Sequence, residues 1–233
     1  MQNLLDMNVV NSFSEDYSDP LSDCYTEEIA LGWRLPDEDA PETGLEEFVN
    51  GITGTDLDNP SQYADYKSAN TDVLTLLCWQ ISDVPLLTLI GDIVDAAGYE
   101  DAFYISTSKE YLPAFSGGGC LSARDLVRFG LLFARKGGGV NGQQVGSAEF
   151  IQQSLLREAP RLQSPRDWIR YSNHLMTDGC FLGHAGYGGQ FIMVDMQTGT
   201  VAAFLSVLEN EAGYDDDYMA GVLQNLSKLL SEL

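Results

Sequence analysis

The chain has 233 residues and carries 35 acidic against 12 basic side chains, which gives a formal net charge of -23. Nucleic acid and anionic membrane surfaces repel such a chain, so the charge argues against both as partners. With 44% hydrophobic and 10% aromatic residues, the composition is that of a globular protein with a sizeable core.

Four cysteines are spaced singly, and no Cys-x-x-Cys pair occurs, which argues against zinc and thioredoxin-like sites. The two histidines, His174 and His184, are too few for a multi-histidine metal site, so we expect neither a metal nor another cofactor. No apolar run approaches the roughly 20 residues of a membrane helix. Residues 1–7 lack the basic region and apolar core of a signal peptide. These features favour a cytoplasmic location. A targeting signal in a segment ahead of Met1 would change that prediction.

The first half of the chain predicts a long loop followed by helices. Residues 1–42 lack periodicity and are rich in Asp, Pro and Ser, which is typical of a segment packed over a cleft. Thr43 opens a short helix with capping-box spacing. Asn70 or Thr71 caps the next helix, whose apolar residues cover most of its circumference. We therefore expect that helix to be largely buried, Cys78 included.

The second half predicts further helices with clear start and stop signals. Pro85 and Gly98 bound one helix, and residues 103–105 predict a short strand. Ser122 opens the clearest helix of the chain, which ends at a glycine run. Its predicted buried face consists of Leu126, Phe129 and Phe133. A helix over 148–156 and an amphipathic helix over 217–230 follow.

A glycine-rich stretch, Gly183–Gln190, lies between these last two helices. Apolar runs around it and a Thr198-Gly199 turn predict two adjacent antiparallel strands. Its four glycines are poor strand formers, so packing alone is not expected to select them. They would let a ligand approach an active-site edge strand; the alternative is a structural hairpin with a kink.

The order of these elements predicts an α+β fold for the single domain 1–233. Residues 1–170 are expected to be mostly helical, and residues 171–233 to hold the sheet strands and the C-terminal helix.

Four stretches in order resemble the serine hydrolases of the β-lactamase and penicillin-binding protein superfamily. The resemblance is strongest to class C β-lactamase-like esterases and 6-aminohexanoate-dimer hydrolases. It implies an antiparallel sheet flanked by helices, with a helical region beside it and the active site between them. The stretches are Leu4–Met7 with Ser14–Tyr17, Tyr66–Leu74, Gly117–Leu126 with Arg128–Gly130, and Gly183–Gln190.

The resemblance also implies a chemistry, the hydrolysis of a small amide, ester or lactam through an acyl-enzyme. The family uses a Ser-x-x-Lys nucleophile, a Tyr-x-Asn motif for proton handling and substrate contact, and a Lys- or His-x-Gly edge strand. By this resemblance Tyr66 is the motif tyrosine. Ser68 stands where many members have the asparagine that contacts a substrate amide.

The edge-strand motif falls on His184-Ala185-Gly186. The resemblance places His184 and Gly186 against the substrate and makes the backbone N–H of Tyr187 a donor in the oxyanion hole. It also turns Tyr17 towards the substrate.

The nucleophile motif of the family lies upstream of the part that Leu4–Met7 resembles. The resemblance therefore implies an N-terminally incomplete domain that lacks Ser-x-x-Lys, the first strands and a buried central helix. A literal match exists at Ser106-Thr107-Ser108-Lys109. Pro113 and the glycines at 117–119 forbid the long helix that a working motif needs, so we interpret this match as a coincidence.

Two hypotheses follow from the resemblance. The chain is either the C-terminal two-thirds of a serine hydrolase, inactive without a complementing N-terminal segment, or a non-catalytic relative that binds a small ligand or a protein in the retained pocket. Without the central helix we expect a large exposed apolar face, so that the isolated chain is poorly soluble or needs a complementing partner. An in-frame Ser-x-x-Lys upstream of Met1 in the coding sequence would favour the first.

Overall fold

A computed structural model describes residues 1–38, 40–54, 58–210 and 213–232 of the chain. The described residues form an α+β fold, as predicted. Its helices are α1 Gln2–Leu5, α2 Asp23–Ala30, α3 Leu45–Gly51, α4 Ala69–Ile81, α5 Leu86–Ala97, α6 Ala123–Ala134, α7 Ala148–Leu156 and α8 Asp216–Ser231. Its strands are β1 Tyr104–Ile105, β2 Gly119–Cys120, β3 Arg170–Ser172, β4 Leu175–Thr177, β5 Phe181–Gly186, β6 Gln190–Asp195 and β7 Val201–Leu205.

The central sheet contains five strands in the order β3-β4-β5-β6-β7, and all neighbours are antiparallel. Asn173 and His174 join β3 to β4, with φ of 52° and 61°, as a two-residue type I′ hairpin turn requires. Two strands were predicted around Gly183–Gln190 and the Thr198-Gly199 turn, within residues 180–208, and that number was wrong. The chain reverses direction both at 187–189 and around Gly199, so three strands form there.

The two faces of this sheet have different partners because side chains alternate along each strand. On one face Phe181, Phe191 and Met193 pack with Met219 and Leu223 of α8 into the main core. On the other face lie Leu182 and His184 of β5 with Ile192 and Val194 of β6, opposite α6 and a cavity.

Helix α6 reaches the second face of the sheet through Gly130. A Cβ at Gly130 would lie 2.5 Å from Cγ1 of Val201 and 3.0 Å from Cδ1 of Ile192. Val201 is β-branched and held in a strand, so its side chain has little freedom to move away. This contact sets the distance between α6 and the sheet.

We expect Gly130→Ala to lower the free energy of unfolding by about 1–3 kcal/mol, because the added methyl overpacks this contact. Gly91→Ala is the matched control, since a Cβ there meets no atom within 4 Å. In the interior of α5 this substitution should stabilise by about 0.5–1 kcal/mol. Urea denaturation measures both changes, and equal effects of the two substitutions would contradict the packing argument.

Helices α4 and α5 are less buried than the sequence predicts. Cys78 is exposed, Ile81 is 70% exposed, and Trp79 and Leu87 are each 43% exposed. The prediction of a largely buried α4 was therefore wrong, because its apolar circumference exceeds what the described residues cover. Within the described ranges no single helix is long and apolar enough to cross a membrane; α4 and α5 reach that size only as a pair bent by 102°.

The predicted buried face of α6 is also corrected by the structure. The buried residues of this helix are Asp125, Gly130 and Leu132. Phe129 and Phe133 are half-buried and pack edge to face, with ring centroids 5.4 Å apart. Leu126 is half-buried as well. The two phenylalanine rings face the cavity beside the sheet.

Candidate active site

An open cavity of about 350 Å³ lies on the second face of the sheet. Its lining is mostly apolar, and a volume of this size suits a small ligand or the side chains of a packed helix. Phe129 and Phe133 of α6 and Phe150 of α7 line it opposite the strands. The strand and hairpin residues that line it are Asn173, His174, Leu175, Leu182, Gly183, His184, Ile192 and Val194.

Beside the cavity, a third side chain links two of the predicted site residues, His184 and Tyr66. The Tyr171 hydroxyl lies 3.0 Å from Nε2 of His184. The ring of Tyr66 packs edge to face on Tyr171, with centroids 5.9 Å apart. The fully buried Tyr171 thus lies between Tyr66 and His184 of the edge strand.

His174 is a cavity residue that the sequence analysis did not single out. Its backbone N–H donates to the Leu5 carbonyl at 2.7 Å, and its Nδ1 lies 3.4 Å from the Thr71 hydroxyl. Its Nε2 is buried and has no partner among the described residues. Burial, and secondarily the nearby His184, lower the pKa of His174 to about 4. Burial also lowers the pKa of His184, so both imidazoles are neutral at pH 7.

The backbone N–H of Tyr187, which follows β5 at the turn, has no hydrogen-bond acceptor among the described residues. The neighbouring amides are occupied, since Gly188 donates to Gly213 at 2.9 Å and Gly189 donates to Gly186 at 3.2 Å. The Tyr187 ring contacts the ring of Tyr17, with centroids 5.1 Å apart. A free N–H at this point is what an oxyanion donor requires.

Packing does select two of the glycines, contrary to the expectation from the sequence. A Cβ at Gly183 would lie 2.5 Å from the Ile192 carbonyl oxygen in the adjacent strand. At Gly189, where φ is +89°, it would lie 2.2 Å from Oγ of Ser206. Gly186 is less restricted, with its nearest neighbour, Cβ of Gln190, at 3.3 Å. A structural role therefore explains Gly183 and Gly189.

Ser68 and Tyr17 meet at an acidic side chain, Glu15. The Ser68 N–H and hydroxyl each lie 2.9 Å from Oε2 of Glu15, and the Tyr17 hydroxyl donates to its Oε1. The Ser68 hydroxyl also lies 2.7 Å from Oε2 of Glu27. Burial, followed by the charges of Glu15 and Glu27, raises the pKa of Tyr66. Tyr66 is therefore a neutral phenol at neutral pH.

The literal Ser-x-x-Lys match does not form a catalytic pair. The Ser106 hydroxyl accepts a hydrogen bond from the Trp33 indole, and the Lys109 ammonium donates to the Glu42 carbonyl at 3.0 Å. Neither residue lies in a helix. Within the described ranges, no group of three or more His, Cys, Asp and Glu side chains is arranged to hold a metal ion.

Comparisons with known proteins relate the chain to one kind of hydrolase. No family model matches it. It is 27% identical over 242 residues to the 6-aminohexanoate-dimer hydrolase of Paenarthrobacter ureafaciens, covering 97% of this chain and 59% of that protein. A solved structure from Bacillus anthracis, provisionally named a 6-aminohexanoate-dimer hydrolase, superposes with a TM-score of 0.77 at 20% identity. That match covers 98% of this chain and 60% of the other.

The chain thus spans about three-fifths of the length of both proteins. Its α+β architecture matches the β-lactamase-like fold of the structural neighbour. The sequence is similar to that of a 6-aminohexanoate-dimer hydrolase, and the structural match shows that the fold is shared.

Proposed function

We propose that this chain is the larger part of a β-lactamase-related serine hydrolase that cleaves a small amide, ester or lactam through an acyl-enzyme. A complementing N-terminal segment supplies the nucleophile. The observation that carries the proposal is the contact between Tyr66 and His184 through Tyr171, with His184 lining an apolar cavity. Three residues after His184, the Tyr187 N–H has no hydrogen-bond acceptor among the described residues. The similarity to a 6-aminohexanoate-dimer hydrolase supports an amide substrate.

The nucleophile has to come from outside the described cavity. The residues that line it include no serine, cysteine or lysine. Tyr66 is a poor substitute, because desolvation of its hydroxyl and the nearby carboxyls raise the pKa of that hydroxyl, although the residue as a whole is 38% exposed. A lysine ammonium placed beside the phenol would lower that pKa and let Tyr66 accept a proton.

The shape and chemistry of the cavity suit an apolar helix as the missing segment. Three phenylalanines and the aliphatic side chains of β5 and β6 line it. Helices α4 and α5 add further exposed apolar surface. Such surfaces mark interaction sites.

In the complete site the serine oxygen of the segment attacks the substrate carbonyl, and Tyr66 takes up the serine proton with the help of the segment's lysine. The Tyr187 N–H donates to the oxyanion. The leaving group departs with the proton, and water then releases the acid and restores the serine. His184, Gly186, Ser68 and Tyr17 form the walls around the substrate.

The second candidate is a non-catalytic relative that binds a small ligand or a protein in the same pocket. The absence of a nucleophilic side chain from the described cavity lining favours it. It differs from the first in one respect: adding the missing segment would produce binding without turnover.

We expect the isolated chain to hydrolyse neither p-nitrophenyl esters nor nitrocefin-like β-lactams and to take no label from a fluorophosphonate or penicillin probe. Fusing the N-terminal region of the Paenarthrobacter relative ahead of Met1 should restore labelling at the serine of the added segment. Replacing that serine by alanine is the control.

Stoichiometric labelling of any serine of the isolated chain would overturn the proposal, and a label on Ser106 would make its motif functional. A folded fusion that binds the probes without turnover would favour the non-catalytic alternative.

A further inference from the structure

Three acidic side chains lie together beside Ser68. Glu27 is 3% and Asp72 0% exposed, and Glu15 is half-buried. No lysine, arginine or histidine nitrogen of the described residues lies within 4.0 Å of any of these carboxyls. Three negatively charged carboxylates in such a buried cluster without a counter-charge would strongly destabilise the folded protein.

The other ionisable groups that face the cluster do not neutralise it. Lys67 attracts Glu15, but its ammonium donates to the Asn11 carbonyl at 2.6 Å and pairs with Asp65 at 3.4 Å. The phenols of Tyr17 and Tyr66 also face the cluster, and burial keeps both neutral by raising the pKa of each. The cluster therefore needs protons of its own.

The hydrogen-bond donors around the three carboxyls are too few for the acceptor oxygens that they face. The Ser68 hydroxyl has one hydrogen but lies within bonding distance of both Glu15 and Glu27. The buried carboxyls of Glu27 and Asp72 interact with each other, and Oε1 of Glu27 and Oδ2 of Asp72 meet no donor among the described residues. Two neighbouring buried carboxylates without donors repel each other unless a proton lies between them. At least one of these two groups must therefore be a carboxylic acid.

Glu27 is the group with the fewest other donors. Glu15 accepts from the Ser68 N–H and from Tyr17, and Asp72 accepts from the Ser116 hydroxyl at 2.9 Å. We propose that Glu27 is a neutral carboxylic acid in the folded protein at neutral pH and that its proton joins it to Asp72.

The electrostatics of the site support this assignment. Burial, followed by the charge of Asp72, raises the pKa of Glu27. Burial raises the pKa of Asp72 as well. A proton shared by the pair removes one of the two buried charges that would otherwise repel each other.

The proton assignment has a consequence for Ser68, and this consequence rests on the proposed function. The single hydroxyl hydrogen of Ser68 is held by Glu15 or Glu27 in every arrangement of the cluster, so Ser68 has no hydrogen to give to a substrate. Within the wall of the site, Ser68 therefore acts as a positioning residue and not as a hydrogen-bond donor to the substrate. It fixes Glu15, and Glu15 in turn holds Tyr17 against Tyr187.

Infrared spectroscopy tests the proton directly. In deuterated buffer at neutral pH the full chain should show the carbonyl stretch of a protonated carboxylic acid. Glu27→Gln should remove that band, and Glu46→Gln, which replaces an exposed glutamate of α3, should leave it unchanged. A wild-type spectrum without the band, or a band that survives Glu27→Gln, overturns the proposal. A wild-type spectrum without the band would also be expected if a bound cation neutralised the cluster.

The pH dependence of stability gives a second measurement that a purely structural role would not produce. A carboxyl whose pKa is raised by folding costs stability progressively as the pH rises above its unfolded value of 4.5. The urea midpoint of the wild type should therefore fall between pH 5 and pH 9 relative to that of Glu27→Gln. Gln retains a donor for Asp72 and an acceptor for Ser68, whereas Glu27→Ala should lower the midpoint at both pH values. A constant difference between wild type and Glu27→Gln contradicts the proposal. These readouts need no catalysis, so they fail independently of the proposed hydrolase activity.

Discussion

Asp6→Ala is expected to lower the free energy of unfolding by about 3–5 kcal/mol, because it leaves a largely buried guanidinium without its partner. Asp6 is 3% exposed. Its two oxygens lie 2.6 and 2.5 Å from Nη1 of Arg157, and Oδ1 also accepts from the Asn173 N–H at 3.0 Å. The substitution therefore removes the link from the N-terminal segment to the end of α7 and one of its links to the β3–β4 turn.

Urea denaturation at neutral pH measures this loss. Glu232→Ala is the control, since its ion pair with Lys228 has an N–O distance of 4.0 Å and both side chains are exposed; exposed pairs contribute about 0–1 kcal/mol. A cost for Asp6→Ala no greater than that of the control would show that the Asp6–Arg157 pair is not structural. The Asn173-His174 turn carries a cavity histidine, so we also expect the position of His174 to change in the Asp6 variant.

The elements that the sequence predicted well have local causes. Gly98 ends α5 with φ of 74°, a conformation that glycine adopts without strain. Ser122 caps α6 by accepting from the Asp125 N–H at 3.2 Å, and Asp215 caps α8 by accepting from Tyr218. Each signal involves residues only a few positions apart, so one sequence suffices to find it.

The elements that the sequence predicted poorly depend on distant partners. Periodicity shows that a helix has an apolar face, but it does not show what covers that face, and the prediction for Cys78 failed for this reason. Gly183 is required because Ile192 approaches it from the next strand. Glu27 contacts Asp72, which lies 45 positions further along the chain, and nothing in its acidic surroundings marks it as buried.

Some residues of the candidate site can be identified from the sequence, and others only from the fold. Motif resemblance identified Tyr66, His184 and Tyr187; in the structure His184 lines the cavity, and Tyr171 links it to Tyr66. Their roles remain predictions. His174 and Tyr171 were missed, although an Asn-His pair between two β-rich runs is a signal for a hairpin turn. Tyr171 carries no motif, and only the fold shows that it connects His184 to Tyr66.

Tyr66→Phe is expected to lower kcat/KM of the completed enzyme, the chain with its N-terminal segment fused, by about 10²–10⁴-fold. Removal of a proton-transfer group typically costs this much. The ring contact with Tyr171 is retained in the phenylalanine variant, and Tyr66 has no hydrogen bond to another described side chain. The free energy of unfolding should therefore change little, which separates a catalytic role from a structural one.

Tyr171→Phe is the matched control, because it removes a hydroxyl from the neighbouring ring. It leaves Nε2 of His184 without its partner at 3.0 Å, and an unsatisfied buried group costs about 1–3 kcal/mol of stability. We therefore expect Tyr171→Phe to act mainly on urea stability and Tyr66→Phe mainly on steady-state turnover of an amide or ester. Equal rates for Tyr66→Phe and the parent fusion would remove Tyr66 from the mechanism. Proton transfer would then fall to the lysine of the added segment alone, since the lowered pKa values of His174 and His184 leave both imidazoles neutral.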